Sequence, residues 1–290
     1  MPQFTNQAQL AYQTTEINSN VVTGEVLETL SVTKSTVTTA YGQNTDISYV
    51  INIINNGLTP YTDLTVTDDL GAYTFGAQTL RPEEYVPGTM LYYQNGVLQP
   101  NPSVTSLAPL VINGVSVPAQ GNTQIIYTAK TNGYAPLGEN AEILNTVTVN
   151  NGYGAGDIRA LMPLTDEISV PAMSGLSLTI AKSAVPVTVT QNGTLTYSFV
   201  ILNTGSAAAT EADLVTVRDV FSPILRDISV TFNGAAWVAN TNYNYDEATG
   251  QFSTVPGQIT VPAATYVQDA ATGLWQTVPG SATLLVSGEI

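Results

Sequence analysis

The 290-residue sequence predicts an all-β protein of two tandem antiparallel β-sandwiches, and three observations lead there. Charged residues make up only 10% of the chain while Thr, Val, Asn, Gly and Tyr abound, a composition that favours short strands and tight turns over helices. The length suffices for two domains with separate cores. The chain also repeats itself. Leu30-Ser31-Val32-Thr33-Lys34-Ser35 recurs as Leu178-Thr179-Ile180-Ala181-Lys182-Ser183, and fifteen residues beyond each Lys stands a Tyr, Tyr49 and Tyr197.

The repeat supplies the strands in order. Tyr49 opens YVINIINNG and Tyr197 opens YSFVILNTG, so Asn55 matches Asn203, and Gly57 and Gly205 mark the same turn. Thr65-Val66-Thr67-Asp68 then corresponds to Thr216-Val217-Arg218-Asp219. VSVPA at 115–119 matches ITVPA at 259–263, and TQIIYTAK at 123–130 matches ATLLVSGE at 282–289. These segments alternate apolar and polar residues between Gly, Pro, Asn and Asp turns, the pattern of an immunoglobulin-like sandwich. The expected division is an N-terminal strand at 1–13, a linker at 14–29, a first sandwich at 30–150, a linker at 151–175 and a second sandwich at 176–290.

The first repeat closes with Ile143-Leu144-Asn145-Thr146-Val147-Thr148-Val149, whereas one residue remains after Glu289, so the second repeat is expected to lack its closing strand. Phe4-Thr5-Asn6-Gln7-Ala8-Gln9-Leu10 reads like the absent element, with Phe4 on Ile143, Asn6 on Asn145, Ala8 on Val147 and Leu10 on Val149. A sandwich without its last strand exposes a core groove and an unpaired edge, which is a template for strand addition. By the symmetry of the repeats, the N-terminal strand belongs to a preceding domain, hence to another copy of the chain. Such a head-to-tail contact is heterologous and extends into a filament. A frayed tail and a self-complemented monomer are the other readings of the same two features.

Strand alternation places Lys34, Asp68 and Asn145 on inward faces of the first repeat, and Lys182, Asp219 and Asn6 on the matching faces of the second. Unpaired charges do not survive in a dry core, so these groups should meet one another. One reading is a buried Lys34–Asp68 ion pair with Asn145 hydrogen-bonded beside it. The trio also resembles the autocatalytic isopeptide sites of Gram-positive surface sandwiches. That resemblance implies a Lys34–Asn145 bond within a chain and a Lys182–Asn6 bond between chains, with Asp68 and Asp219 as proton shuttles.

The Lys-containing first strand, the Tyr strand ending in Asn-x-Gly, the Val-Thr-Asp strand and the closing Asn-Thr-x-x-Val strand resemble the bacterial surface repeat known as domain of unknown function 11. The architecture is also similar to the major subunits of clostridial spore appendages. The resemblance implies a structural fibre subunit, a head-to-tail homopolymer on a cell or spore surface. An adhesin or carbohydrate-binding module is the alternative, drawing on Asp246-Glu247 and on Trp237, Tyr243 and Trp275.

Other classes are disfavoured. Twenty-two acidic against seven basic residues give a net charge of −15, which repels nucleic acid and anionic membrane. With neither Cys nor His, the chain has no disulfides, Cys/His zinc sites, thiol nucleophiles or His-dependent triads. No phosphate-binding glycine motif and no DxDxDG calcium loop occur, and the doublets Asp68-Asp69 and Glu83-Glu84 read as solvated. No cofactor, metal or external substrate is expected. The first residues form neither a basic n-region nor an apolar h-region, and no stretch approaches membrane-spanning length. This fits an extracellular destination reached without a recognisable signal peptide, as in a mother cell that later lyses.

Overall fold

A computed structural model describes residues 3–25, 29–150, 153–154 and 163–290. It begins with a long hairpin: β1 (Gln3–Asn6) and β2 (Gln9–Tyr12) run out, and β3 (Thr15–Asn18) and β4 (Val22–Glu25) run back. The first domain contains β5 (Leu30–Thr36), β6 (Asp46–Asn55), β7 (Tyr61–Asp68), β8 (Tyr73–Phe75), β9 (Gln78–Leu80), β10 (Glu83–Tyr85), β11 (Leu91–Gln94) and β12 (Val97–Gln99). It continues with β13 (Ser103–Leu107), β14 (Leu110–Val117), β15 (Gly121–Thr131), β16 (Glu142–Asn150), β17 (Tyr153–Gly154) and β18 (Leu164–Pro171). The second contains β19 (Leu178–Val185), β20 (Thr194–Asn203), β21 (Arg218–Val220), β22 (Arg226–Phe232) and β23 (Ala235–Trp237). After these come β24 (Tyr243–Asp246), β25 (Gln251–Thr254), β26 (Thr265–Gln268), β27 (Trp275–Val278) and β28 (Gly280–Glu289).

In the first domain one sheet has the order β12-β11-β15-β6-β5 and the facing sheet β13-β14-β7-β16-β18. Alternation decides what lies between them. Ile47, Tyr49, Ile51 and Ile53 of β6, Ile125 and Tyr127 of β15, Leu64 and Val66 of β7, and Val147 and Val149 of β16 are all fully buried. Each such large side chain contributes roughly 1.5–3 kcal/mol on leaving water. The second domain builds its main sheet in the same order, β19-β20-β28-β22-β23, around a separate core.

The repeat holds at the level of register. Lys34 lies opposite Ile51 as Lys182 lies opposite Phe199, and Tyr49 opposite Tyr127 as Tyr197 lies opposite Val286. The repeated Asn-x-Gly has a clear purpose. Asn55 Nδ2 donates to the carbonyls of Thr59 and Pro118, at 2.8 and 3.0 Å, and Asn55 Oδ1 accepts from the Gly57 N–H at 2.8 Å. Asn203 does the same with Ala207, Pro262 and Gly205 at 2.7, 3.0 and 2.9 Å. Both side chains are buried clamps that fasten one turn to the VPA segment of another strand.

Three expectations need correction. The stretch 151–175 is not a plain linker, because Leu164, Asp166, Ile168 and Val170 alternate along β18, which pairs with β16 from Glu142↔Pro171 to Val149↔Leu164. The stretch 14–29 likewise carries β3 and β4, so the N-terminal strand expected at 1–13 is one arm of a hairpin. Finally, the Val-Thr-Asp strand spans eight residues in the first domain but only Arg218–Val220 in the second. In the first domain β16 pairs with β7, whereas among the described residues no strand lies on the corresponding edge of the second.

Candidate functional site

The first domain encloses the polar groups that alternation predicts. β5 turns Lys34 inward against Asp68 at the end of β7, with Nζ 2.6 Å from Oδ2 and both side chains fully buried. Asp68 Oδ2 also accepts from the Tyr127 hydroxyl, and Oδ1 accepts from the Leu70 N–H at 3.0 Å, so its lone pairs are well used. The ring of Tyr49 lies 4.7 Å from Lys34 Nζ, and its hydroxyl donates to Glu83 Oε1 at 2.6 Å. Glu83 Oε2 in turn accepts from Asn145 Nδ2 at 2.7 Å. Asn145 Oδ1 is buried without a partner.

Burial sets the electrostatics. Desolvation lowers the Lys34 pKa, against the opposing pull of Asp68, and it lifts Glu83 to about 7. The Tyr49 and Tyr127 hydroxyls are pushed up by burial and by the neighbouring carboxylates, so both remain donors. The pocket therefore holds an amine that gives up its proton more readily than a solvated lysine, a carboxylate bonded to it, and an acid that keeps its own proton near neutrality beside a carboxamide. A carboxamide is nearly symmetric in shape, so half a turn of Asn145 brings the unpartnered Oδ1 to Glu83, and a protonated Glu83 donates to it.

The second domain has the same Lys and Asp in a different setting. Lys182 Nζ and Asp219 Oδ2 form an ion pair, yet the two side chains are 39% and 19% exposed. Lys182 Nζ lies 4.2 Å from the ring centroid of Tyr197 and 5.5 Å from that of Phe221. Where the first domain offers Glu83 to its tyrosine, the second stacks Phe221 on Tyr197 at 4.9 Å and gives the hydroxyl only the Ser222 carbonyl, at 3.5 Å. Ile180, two residues from Lys182 and so on the same face of β19, is 55% exposed, and Leu178 is half-buried. The sandwich is open along this side.

Asn6, Phe4, Ala8 and Leu10 lie on the hairpin, all exposed, with Asn6 opposite Val22 and Leu10 opposite Ile17. Within one chain, the structure brings Lys34, Asp68 and Asn145 into one buried cluster, and Lys182 to Asp219. Among the described residues no hydrogen bond or ion pair joins Asn6 to Lys182 or Asp219.

No family model and no curated protein matches the chain. Among solved structures, it is similar to BcpA, the major pilin subunit of Bacillus cereus, at 12% identity and a TM-score of 0.38 over 90% of this chain and 70% of that one. It is also similar to the pilus backbone RrgB from Streptococcus pneumoniae, at 11% identity and 0.32 over 86% and 55% of the two chains. A bacterial hydrophobin, BslA, matches at 11% identity and 0.32 over 52% of this chain and all of its own. Identities and TM-scores this low bear on neither the assembly nor the chemistry of this chain.

Sequence reasoning missed Glu83. Its doublet was expected in solvent, but β10 is a three-residue strand on the end of β15 that turns Glu83 inward, 1% exposed, and Glu84 outward. Asp68 is likewise fully buried, and Asp69 is half-buried, its carboxyl raised by desolvation. The signal was present in the alternation of Glu83, Glu84 and Tyr85, but it is too short to stand alone. Of the aromatic residues considered for ligand binding, Trp237 tilts on Phe232 and Tyr243 packs on Phe252, while the backbone N–H of Trp275 donates to the Gly133 carbonyl and its indole Nε1 is buried without a partner. No cluster of three metal-ligating side chains occurs among the described residues, and no helix is long and apolar enough to cross a membrane.

Proposed function

We propose that the chain is the structural subunit of a surface filament, polymerising head to tail as the N-terminal segment of one copy completes the second domain of the next. The single observation that carries this reading is one register position in two states. Lys34 is sealed beneath β16 and β18, while Lys182, at the same place in the repeat, lies open, and the N-terminal segment repeats the pattern of β16. Adding that strand beside β21 puts Ala8 opposite Asp219 and Leu10 opposite Val217, as Val147 lies opposite Asp68 and Val149 opposite Val66. The product is a cell- or spore-surface fibre of the kind implied by the resemblance to the domain-of-unknown-function-11 repeat. Electron microscopy of the purified chain tests this directly: long filaments are expected, and discrete two-domain particles at all concentrations would refute it.

The first-domain cluster further supports an internal Lys34–Asn145 isopeptide bond, with two acids dividing the work. Lys34 passes a proton to Asp68 and, as the free amine, attacks Cγ of Asn145. The Nζ–Cγ bond forms and the Cγ–Nδ2 bond breaks. Glu83 gives a proton to the departing Nδ2 and takes one back from Nζ, and the proton held on Asp68 leaves with the ammonia as ammonium. In an assembled fibre the corresponding reaction joins Lys182 of one copy to Asn6 of another, with Asp219 as the acid. Intact mass is the test: loss of one ammonia from the chain, restored to full mass in Asp68→Ala.

A further inference from the structure

The register of the N-terminal hairpin carries the assembly reading a step further. In the first domain the element that closes the second sheet is not a strand but a pair, β16 and β18, joined from Glu142↔Pro171 to Val149↔Leu164. β16 has one edge on β18 and the other on β7. β18 lies at the sheet border, where Asp166 Oδ2 accepts from the backbone N–H of Lys34 on β5 at 2.6 Å. Neither strand of this pair has a counterpart in the second domain among the described residues, where β19 and β21 each keep one edge unpaired.

The hairpin at the start of the chain reproduces that pair. Gln3↔Glu25, Phe4↔Gly24 and Asn6↔Val22 stand as Glu142↔Pro171, Ile143↔Val170 and Asn145↔Ile168 do. Nearer the turn, Leu10↔Ile17 stands as Val149↔Leu164 does. The one difference is an extra residue within 19–21, opposite Gln7 and Ala8. Phe4, Leu10, Ile17 and Val22 are each about half exposed or more, at 50%, 63%, 49% and 55%, so the hairpin packs its apolar residues on neither domain of its own chain. An isolated two-stranded hairpin is at best marginally stable in water. The free edge of β1 and β2 matches the edge that β16 presents to β7.

We propose that the donated element is the whole hairpin, residues 3–25, which docks as a preformed pair into a second copy of this chain. β1 and β2 lengthen β21 into a strand like β7, and β3 and β4 cover the open border beside β19, over Lys182, as β18 covers Lys34. The inference rests on the strand-donation reading and adds that the strand never leaves its hairpin partner. The sheet of the acceptor domain gains two strands, and the groove closes on both of its borders.

Three full-length variants test it, because the chain has no cysteine of its own and the substituted side chains are exposed. Ala11 and Glu16 are opposite partners. In Ala11→Cys/Glu16→Cys an oxidised disulfide locks the pair, and filaments pelleted by ultracentrifugation should form as well oxidised as reduced. Ile17→Asp/Val22→Asp, which leaves residues 1–13 untouched, should raise the concentration needed for assembly more than tenfold. Ala8→Asp/Leu10→Asp should do the same. If oxidation of the first variant abolishes filaments that its reduced form makes, or if the second assembles normally, a lone strand is donated and the hairpin proposal is overturned. If the third also assembles normally, strand donation itself is wrong. Circular dichroism and thermal melting of each variant should match the parent chain, which separates lost docking from lost folding.

Discussion

Lys34 and Lys182 share a strand, a register and an aspartate partner, and they differ in whether a further pair of strands lies over them. With β16 and β18 in place, Lys34 is dry, ion-paired and within a network reaching Asn145. Without such a pair, Lys182 and Asp219 form their ion pair in partial contact with water. The same residues form a dry, networked cluster in one domain and a partly solvated ion pair in the other, because the desolvation that lowers the Lys34 pKa comes from the covering strands. The difference also extends to Glu83, which has no equivalent at Tyr197.

The sharpest way to break the comparison is covalent and all-or-none. The unassembled chain should lack one ammonia, at Lys34–Asn145 alone, and Glu83→Ala or Asp68→Ala should restore the full mass. Filaments boiled in detergent should give a ladder that Lys182→Ala, Asn6→Ala or Asp219→Ala collapses while Lys34→Ala spares it. A ladder absent from wild-type filaments would confine the chemistry to the domain that holds Glu83.

Next in size is the loss of one partner from each ion pair. Asp68→Ala both blocks the proposed cross-link and leaves a free Lys34 ammonium buried without its carboxylate, and should cost the first domain at least about 3–5 kcal/mol in denaturant unfolding. Asp219→Ala in the unassembled chain should cost the second domain at most about 1 kcal/mol, since its ion pair is partly exposed.

A pH series separates the domains by a similar route. Glu83 holds its proton in the fold up to about pH 7, whereas the unfolded chain releases it near the ordinary 4.5. The folded state therefore binds more protons between these values. The contribution of Glu83 to first-domain stability should be full below pH 4.5 and fall by on the order of 3 kcal/mol as pH rises through 7, with no further loss from this group above. Glu83→Gln should flatten that slope, and the unfolding transition of the second domain should not show it.

The smallest difference expected is none at all. Asn55→Ala and Asn203→Ala remove the same three hydrogen bonds, Asn203→Ala losing in addition a longer one from the Ser177 N–H at 3.3 Å, and each should destabilise its own domain by about 1–3 kcal/mol. Equal costs would show that the two sandwiches differ in their closing strands and not in their frameworks.

What was legible in the sequence follows the same division. Self-comparison found β5, β6, β7 and β15 with their counterparts β19, β20, β21 and β28, and with them Lys34, Asp68, Asn55 and their counterparts, because each occurs twice at fixed spacing. It left unmatched the β11–β12 hairpin and the β22–β23 hairpin at the same place in the main sheet of the second domain. It was blind to what occurs in one repeat only. β18 alternates plainly through Leu164, Asp166, Ile168 and Val170, but its only counterpart is the arm of the N-terminal hairpin with an extra residue, so both stretches read as linkers. Glu83 lies in the irregular stretch between β7 and β11, where three residues of alternation give too little signal and the second repeat offers Phe221 instead. The shortening of the Val-Thr-Asp strand to β21 was also invisible, since a strand's length depends on its neighbours as well as on its residues.

The hairpin of β26 and β27 reaches across from the second domain to the first. The backbone N–H of Trp275 donates to the Gly133 carbonyl at 2.9 Å, Gln268 Nε2 to the Tyr73 hydroxyl at 2.9 Å, and Gln43 Nε2 to the Trp275 carbonyl at 3.3 Å. Such a strut stiffens the chain between its two domains, for bending there must break these bonds together. A filament of such subunits would alternate stiffened segments with joints, its persistence length set by the contacts between copies. Weakening the strut, by Gln268→Ala with Gln43→Ala, which of these bonds spares only the Trp275–Gly133 backbone bond, should shorten that persistence length without changing the number of subunits in the filament.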